Sequence, residues 1–165
     1  MADRQSQCPR SVWRSPIHFL AFGFGSGCGP KAPGTWGTLV AMPLFMLMSS
    51  LPWPLYLGIT AGLFVVGVWL CGRTARDLDV HDHPGIVWDE IVGYLVTMSF
   101  APSGLVWLLA GFVLFRLFDI TKPWPIRRFD KDIPGGFGIM FDDVLAGIYG
   151  AVVLWGIAEG LSYFF

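Results

Sequence analysis

Two acidic pairs and one basic stretch hold the residues of this chain best suited to chemistry. Asp89/Glu90 lies in Gly85–Val92, GIVWDEIV, and Asp142/Asp143 in Gly138–Leu145, GIMFDDVL, so the two segments echo each other. Between apolar runs, Phe115–Asp143 gathers five of the eleven Lys and Arg residues and five of the twelve acids. Arg116 and Asp119 are spaced i, i+3 and share a helix face. Lys122 follows one turn later, and Pro123 and Pro125 stop that helix. Gly135, Gly136 and Gly138 are expected to loosen the backbone before Asp142 and Asp143 enter the first turn of the next apolar run. Clustered carboxylates with no cysteine among them suit Mg²⁺. The expected metal ligands are Asp89, Glu90, Asp142 and Asp143, while Arg116 and Lys122 suit phosphoryl oxygens. The blander explanation is helix-dipole complementarity, which favours an acid in a first turn by about 0.3–1 kcal/mol. That accounts for one carboxylate. It does not account for four, each adjoining an apolar run where a charge costs about 2.5–3.5 kcal/mol at mid-depth.

Other candidates are weaker. The Gly-rich stretch Gly23–Thr38 reads as a loop or re-entrant segment, with Thr35 or Thr38 capping the first helix. Its backbone N–H groups and these threonines are candidate phosphate contacts. His81 and His83 precede the first acidic pair as candidate acid/base groups, His81 being the one placed at the substrate. Cys8, Cys28 and Cys71 show no metal or disulfide spacing, and their odd number argues against a disulfide framework. Cys8 and Arg14 have the C-x5-R spacing of a cysteine phosphatase loop, but the flanking strand and helix that loop needs are not visible. Asp77-Leu-Asp79 and Pro102-Ser-Gly104 resemble fragments of other phosphatase motifs and lack the rest of them. Trp88 and Trp124 are expected as membrane-belt anchors.

The elements that must position these residues are apolar helices. The chain of 165 residues is 54% hydrophobic and 14% charged, with a mean hydropathy of +0.58. Globular domains carry about 25% charged residues. The reading is therefore an all-α, polytopic membrane helical bundle, a single domain over 1–165 with a polar tail over 1–15. That tail lacks the apolar core of a signal peptide. Breaks at Leu51-Pro-Trp-Pro54 and Ala101-Pro-Ser-Gly104 leave about five transmembrane helices, near 35–50, 54–76, 86–100, 105–118 and 139–158. Several supply only ~15 apolar residues, or about 22 Å, against a hydrocarbon core of ~30 Å. Lys and Arg fall only before helix one, between helices two and three, and between helices four and five. The positive-inside rule then sets all three segments, and the site, on the cytoplasmic face.

GFGSG…PGTWGTL from Gly23, VWDEIVG from Val87, FRLFDITKPWPI from Phe115 and GGFGIMFDDVLAG from Gly135 together resemble the phosphatidylglycerophosphatase A family over about residues 16–150. The resemblance implies a multi-pass enzyme of the bacterial inner membrane. Such an enzyme hydrolyses phosphatidylglycerophosphate to phosphatidylglycerol with Mg²⁺. Carried across by motif, Asp89, Glu90, Asp142, Asp143, Arg116, Asp119 and Lys122 are the acting positions. The expected partner is a phospholipid of the bilayer, not nucleic acid. Two rivals are a head-group phosphotransferase of the CDP-alcohol type and a non-enzymatic ion carrier or channel. The first lacks its characteristic spaced acids here, and the second would want ionisable residues at mid-span.

Overall fold

A computed structural model describes residues 7–128 and 133–162, and these fold into helices and turns with no strand among the described residues. The principal helices are α1 (Pro16–Ala21), α2 (Pro33–Met48), α3 (Trp53–Leu78), α4 (Trp88–Thr97), α5 (Leu105–Thr121) and α6 (Gly135–Ser162). Short 3₁₀ turns at Arg10–Trp13, Ser26–Cys28 and Met98–Phe100 join them. The breaks fall at the prolines and glycines that mark them. Pro52 precedes α3, Gly104 precedes α5, and α5 ends where Lys122 turns left-handed (φ 40°) ahead of Pro123.

At the centre lies α4, the shortest of the later helices at 10 residues. Trp88, Asp89, Ile91–Leu95 and Thr97 are all buried on it, and α2, α3, α5 and α6 surround it. Its closest partner is α6. Gly93 and Gly147 meet there: a Cβ on Gly147 would run into the Gly93 carbonyl, and one on Gly93 would lie 2.8 Å from the Asp143 carbonyl. Small residues that let backbones approach are how helices associate without a hydrophobic drive. Polar side chains add cross-links to this packing. Tyr94 Oη donates to Leu108 O (3.1 Å), Tyr56 Oη to Leu95 O (2.6 Å) and Thr97 Oγ1 to Gly147 O (3.3 Å).

Two helices, α3 with 26 residues and α6 with 28, are long and apolar enough to cross a membrane by length and composition. The others are shorter, α2 having 16 residues and α5 having 17. Leu47, Val65, Val106, Val113, Ile120 and Val152 stand exposed on the outer faces of α2, α3, α5 and α6. Soluble monomers rarely expose apolar surface on that scale.

Several expectations are corrected. The glycines at 135, 136 and 138 belong to α6 itself, which starts at Gly135. A Cβ on Gly136 would strike the Val68 carbonyl and come within 2.6 Å of Gly72 N, so that glycine serves close packing on α3. Neither Thr35 nor Thr38 caps α2. The helix opens at Pro33 behind a left-handed Ala32, with no side-chain cap. Trp88 is no belt anchor: it is buried, and its Nε1 donates to Leu63 O at 3.0 Å. Trp124 is exposed. Cys8 and Cys28 form a disulfide, against the sequence expectation, and leave Cys71 as a buried free thiol. The same N-terminal segment is tied to α3 through His18. Its Nδ1 pairs with Ser11 Oγ (2.9 Å) and its Nε2 with Asp77 Oδ2 (3.3 Å).

If glycine contacts set the α4–α6 distance, Gly147→Ala will destabilise the protein by about 1–3 kcal/mol, the usual range for overpacking. Gly58→Ala, at a helical position where a Cβ meets nothing within 4 Å, will be neutral or stabilising by about 0.4–1 kcal/mol. Thermal unfolding in detergent compares the two.

Candidate active site

Three helices deliver charged side chains to one place, and a fourth makes room for them. The first turn of α4 carries Asp89 and Glu90, as the sequence indicates. Asp89 is buried, its carboxylate meets that of Glu90, and its Oδ1 accepts the Glu90 N–H at 3.0 Å. From α6 come Asp142 and Asp143, both buried. They lie in the third turn of that helix, not the first, because α6 begins at Gly135. Seven residues at 1.5 Å each set Asp142 about 10 Å below the start of its helix. The last turns of α5 supply Arg116, Asp119 and Lys122. Arg116 pairs with Asp119 across the i, i+3 spacing and lies 3.7 Å from Glu90 Oε1. Lys122 pairs with Asp142. Asp119 also meets the Asp143 carboxylate.

The fourth contributor is α2, through a residue that has no side chain. A Cβ on Gly34 would run into Glu90 Oε1 and lie 2.6 Å from Arg116 Nη1. Gly34 thus opens the space in which these two side chains approach. Sequence reasoning weighed this glycine for its backbone N–H, and its packing role was not visible without the contact. Asp82, in the loop before α4, was also missed; it adds negative charge near Asp89.

One carboxylate oxygen each from Asp89, Glu90 and Asp143 lies within 4.8 Å of the others. Two like charges that close repel by on the order of 3 kcal/mol at an effective dielectric of 20. Glu90 Oε2 and Asp143 Oδ2 are buried with no hydrogen-bond partner among the described residues. Buried charges of this kind require compensation. Arg116 and Lys122 supply part of it, but the acids around them outnumber them among the described residues. The three converging oxygens fit a hard divalent cation, which prefers carboxylate oxygen. Arg116 Nε is also buried without a hydrogen-bond acceptor, leaving a donor beside the acids. An array of this kind can hold a metal ion next to a phosphoryl group.

Three other residues expected at the substrate make no hydrogen bond to the charged side chains of the cluster among the described residues. Thr38 is fully buried and its hydroxyl donates to Gly34 O at 2.8 Å. Thr35 is half-buried in the first turn of α2, next to Gly34. His81 is exposed in the loop after α3, with no hydrogen bond or ion pair to the cluster among the described residues. His83, the other candidate acid/base group, is buried against Phe22 and its Nδ1 accepts the Gly85 N–H.

The profile of the Phosphatidylglycerophosphatase A family matches residues 19–158. The chain belongs to the phosphatidylglycerophosphatase A family. Phosphatidylglycerophosphatase A of Escherichia coli (strain K12) is 49% identical over 146 residues, covering 88% of this chain and 85% of that protein. Phosphatidylglycerophosphatase A of Haemophilus influenzae (strain ATCC 51907 / DSM 11121 / KW20 / Rd) is 51% identical over 145 residues, covering 87% of this chain and 89% of that one. No solved structure matches. The whole cluster, from Gly34 to Asp143, lies inside the matched range of this family member, whereas Cys8 and Ser11 precede it.

If the acidic trio takes a divalent cation, Mg²⁺ at a hundredfold excess over Kd will stabilise the wild type by about 2.7 kcal/mol. Asp143→Asn will lose most of that increment, yet in EDTA it will unfold at or above the wild-type temperature because one repelling charge is gone. Thermal shift with and without Mg²⁺ reads both effects.

Proposed function

We infer that the chain is a phosphatidylglycerophosphatase, a phosphoric monoester hydrolase that releases the terminal phosphate of phosphatidylglycerophosphate and leaves phosphatidylglycerol. Family membership supports the substrate. The observation that carries the chemistry is the convergence of Asp89, Glu90 and Asp143 beside Arg116 and Lys122. Carboxylates alone would repel a phosphate, and cations alone would bind it without activating water. The pairing of both provides for binding and for attack.

Asp89, Glu90 and Asp143, with Asp142 adjoining, are the residues that would hold Mg²⁺. When bound, the ion neutralises phosphoryl charge and makes water a better nucleophile. Arg116 turns its unpartnered Nε toward a phosphoryl oxygen, and Lys122, at the end of α5, neutralises a second oxygen. Asp119 orients Arg116 through their ion pair. Glu90 adjoins Arg116 and couples the cationic half of the site to the acidic half.

The bundle sits in the bacterial inner membrane in this reading, with α2 to α6 crossing or entering the bilayer. The exposed apolar side chains of the outer helix faces support lipid contact. Lys31, Arg73, Arg76, Arg116 and Lys122 lie near the α2 start, the α3 end and the α5 end, which supports a cytoplasmic site under the positive-inside rule. A site sunk about two turns below a helix start suits a head group that stays attached to bilayer-anchored chains.

The test is phosphate release by the purified chain from phosphatidylglycerophosphate, with phosphatidic acid for comparison. Mg²⁺-dependent release will fall about 10²–10³-fold in Asp89→Asn and in Asp142→Asn, the range for loss of one charge-stabilising group. Near-normal release by both folded variants would overturn the site. Nucleotide release from an activated lipid, in place of free phosphate, would point to the phosphotransferase.

A further inference from the structure

We propose that a trough between α3 and α6 seats one acyl chain of the same lipid molecule whose phosphate occupies the acidic cluster. The proposal rests on the lipid-phosphatase reading above and extends it from the head group to the chains.

Two apolar hollows, of about 510 and 710 Å³, lie between these helices and share Leu57, Val96 and Ser99. They form one trough with α4 as its floor. Each is within the 300–1,000 Å³ of ordinary ligand sites. Phe137 and Phe141, stacked at 5.3 Å, wall one end, and Trp53 and Trp155 the other. The Thr60 and Ser99 hydroxyls in it give their protons to backbone carbonyls. Thr60 Oγ1 donates to Tyr56 O (2.9 Å) and Ser99 Oγ to Leu95 O (3.4 Å). What remains is a concave hydrocarbon surface.

Its continuity with the cluster identifies the occupant. On α4 the floor residues Val92 and Val96 follow Asp89 at i+3 and i+7, so the metal-binding acid and the trough share one helix face. On α6, Phe141 directly precedes Asp142. Asp89 to Ser99 spans ten residues, about 15 Å, which is the depth of one leaflet of a ~30 Å hydrocarbon core. A molecule with a phosphate at one end and a hydrocarbon chain of leaflet length at the other complements both regions. A water-soluble phosphate ester complements only the first.

The experiment compares kcat/KM for phosphate release from dipalmitoyl and dihexanoyl phosphatidylglycerophosphate in mixed micelles. Ala61→Trp fills the end of the trough nearer Phe137, and Val152→Trp fills the end nearer Trp155. Val106→Trp, on the exposed face of α5, is the control. Both trough variants are expected to lose at least about tenfold on the dipalmitoyl lipid, the smallest loss typical of a misfitting hydrocarbon pocket. Ala61→Trp will lose less on the dihexanoyl lipid, and Val152→Trp will leave it at the wild-type value. The control will change neither. Equal losses on both lipids, or none on the longer one, would overturn the trough while leaving the phosphatase reading intact. A folded wild type that releases phosphate from neither lipid would sink the phosphatase reading, and this proposal with it.

Discussion

The structure is governed by the burial of more carboxylates than cations at one end of an apolar helix bundle. Charges removed from water must be matched or they drive the site apart. Asp89, Glu90 and Asp143 come within 4.8 Å of one another, while Arg116 and Lys122 pair with Asp119 and Asp142 nearby. No single helix could hold such a set. It takes α4 at the centre, α6 against it, the end of α5, and the start of α2 with its side-chain space left empty. Three of these helices contribute the charges, α2 contributes the space, and the short central helix brings them to one level.

Backbone proximity makes this convergence possible, and glycine makes the proximity possible. Gly93 and Gly147 allow α4 and α6 to touch, Gly136 allows α6 to lie on α3 at Val68, and Gly34 leaves room for Glu90 and Arg116. These residues sit beside the acids and one or two turns from them. Side-chain hydroxyls from Tyr56, Tyr94 and Thr97 then lock α4 through carbonyls of its own helix and its neighbours. Where outer helix faces expose as many large apolar side chains as they do here, such contacts hold helices together independently of hydrophobic burial.

Much of this was legible in the sequence, for a physical reason in each case. Prolines and glycines at 51–54, 101–104 and 123–125 broke the apolar runs where the helices do end, because proline and glycine together disfavour helix, whereas the lone Pro43 is carried inside α2. The i, i+3 spacing of Arg116 and Asp119 foretold their ion pair, a purely local matter. Long-range relations were not readable. Gly135, Gly136 and Gly138 looked like a loop because helix propensity penalises glycine. The approach of α3 explains Gly136, the Ile133 carbonyl leaves no room for a Cβ at Gly138, and Gly135 opens the helix at a φ of 78°. Thr38 looked like a cap, but Pro33 starts α2 one turn earlier and turns the hydroxyl onto Gly34 O. The Cys8–Cys28 bond and the link from His18 to Asp77 join segments that no spacing rule connects. Asp130 and Lys131, part of the charged stretch noted in the sequence, lie outside the described residues.

The start of α6 at Gly135 bears on why the acids are where they are. GIVWDEIV and GIMFDDVL look equivalent as sequences, and helix-dipole complementarity was the rival explanation for both. The dipole acts within the first turn of a helix. It therefore still offers Asp89 and Glu90 a partial reason to be where they are. It offers none to Asp142 and Asp143, which lie in the third turn, buried on a helix whose other residues are mostly apolar. Lys122 answers Asp142. Asp143 faces other carboxylates, with one oxygen left without a hydrogen-bond partner among the described residues. A neutral surface explanation fails for that residue, and the remaining physical remedy is a bound cation or a shared proton. Placing the second acidic pair deeper in its helix thus strengthens the case for a cation at this site beyond what the repeat alone supports.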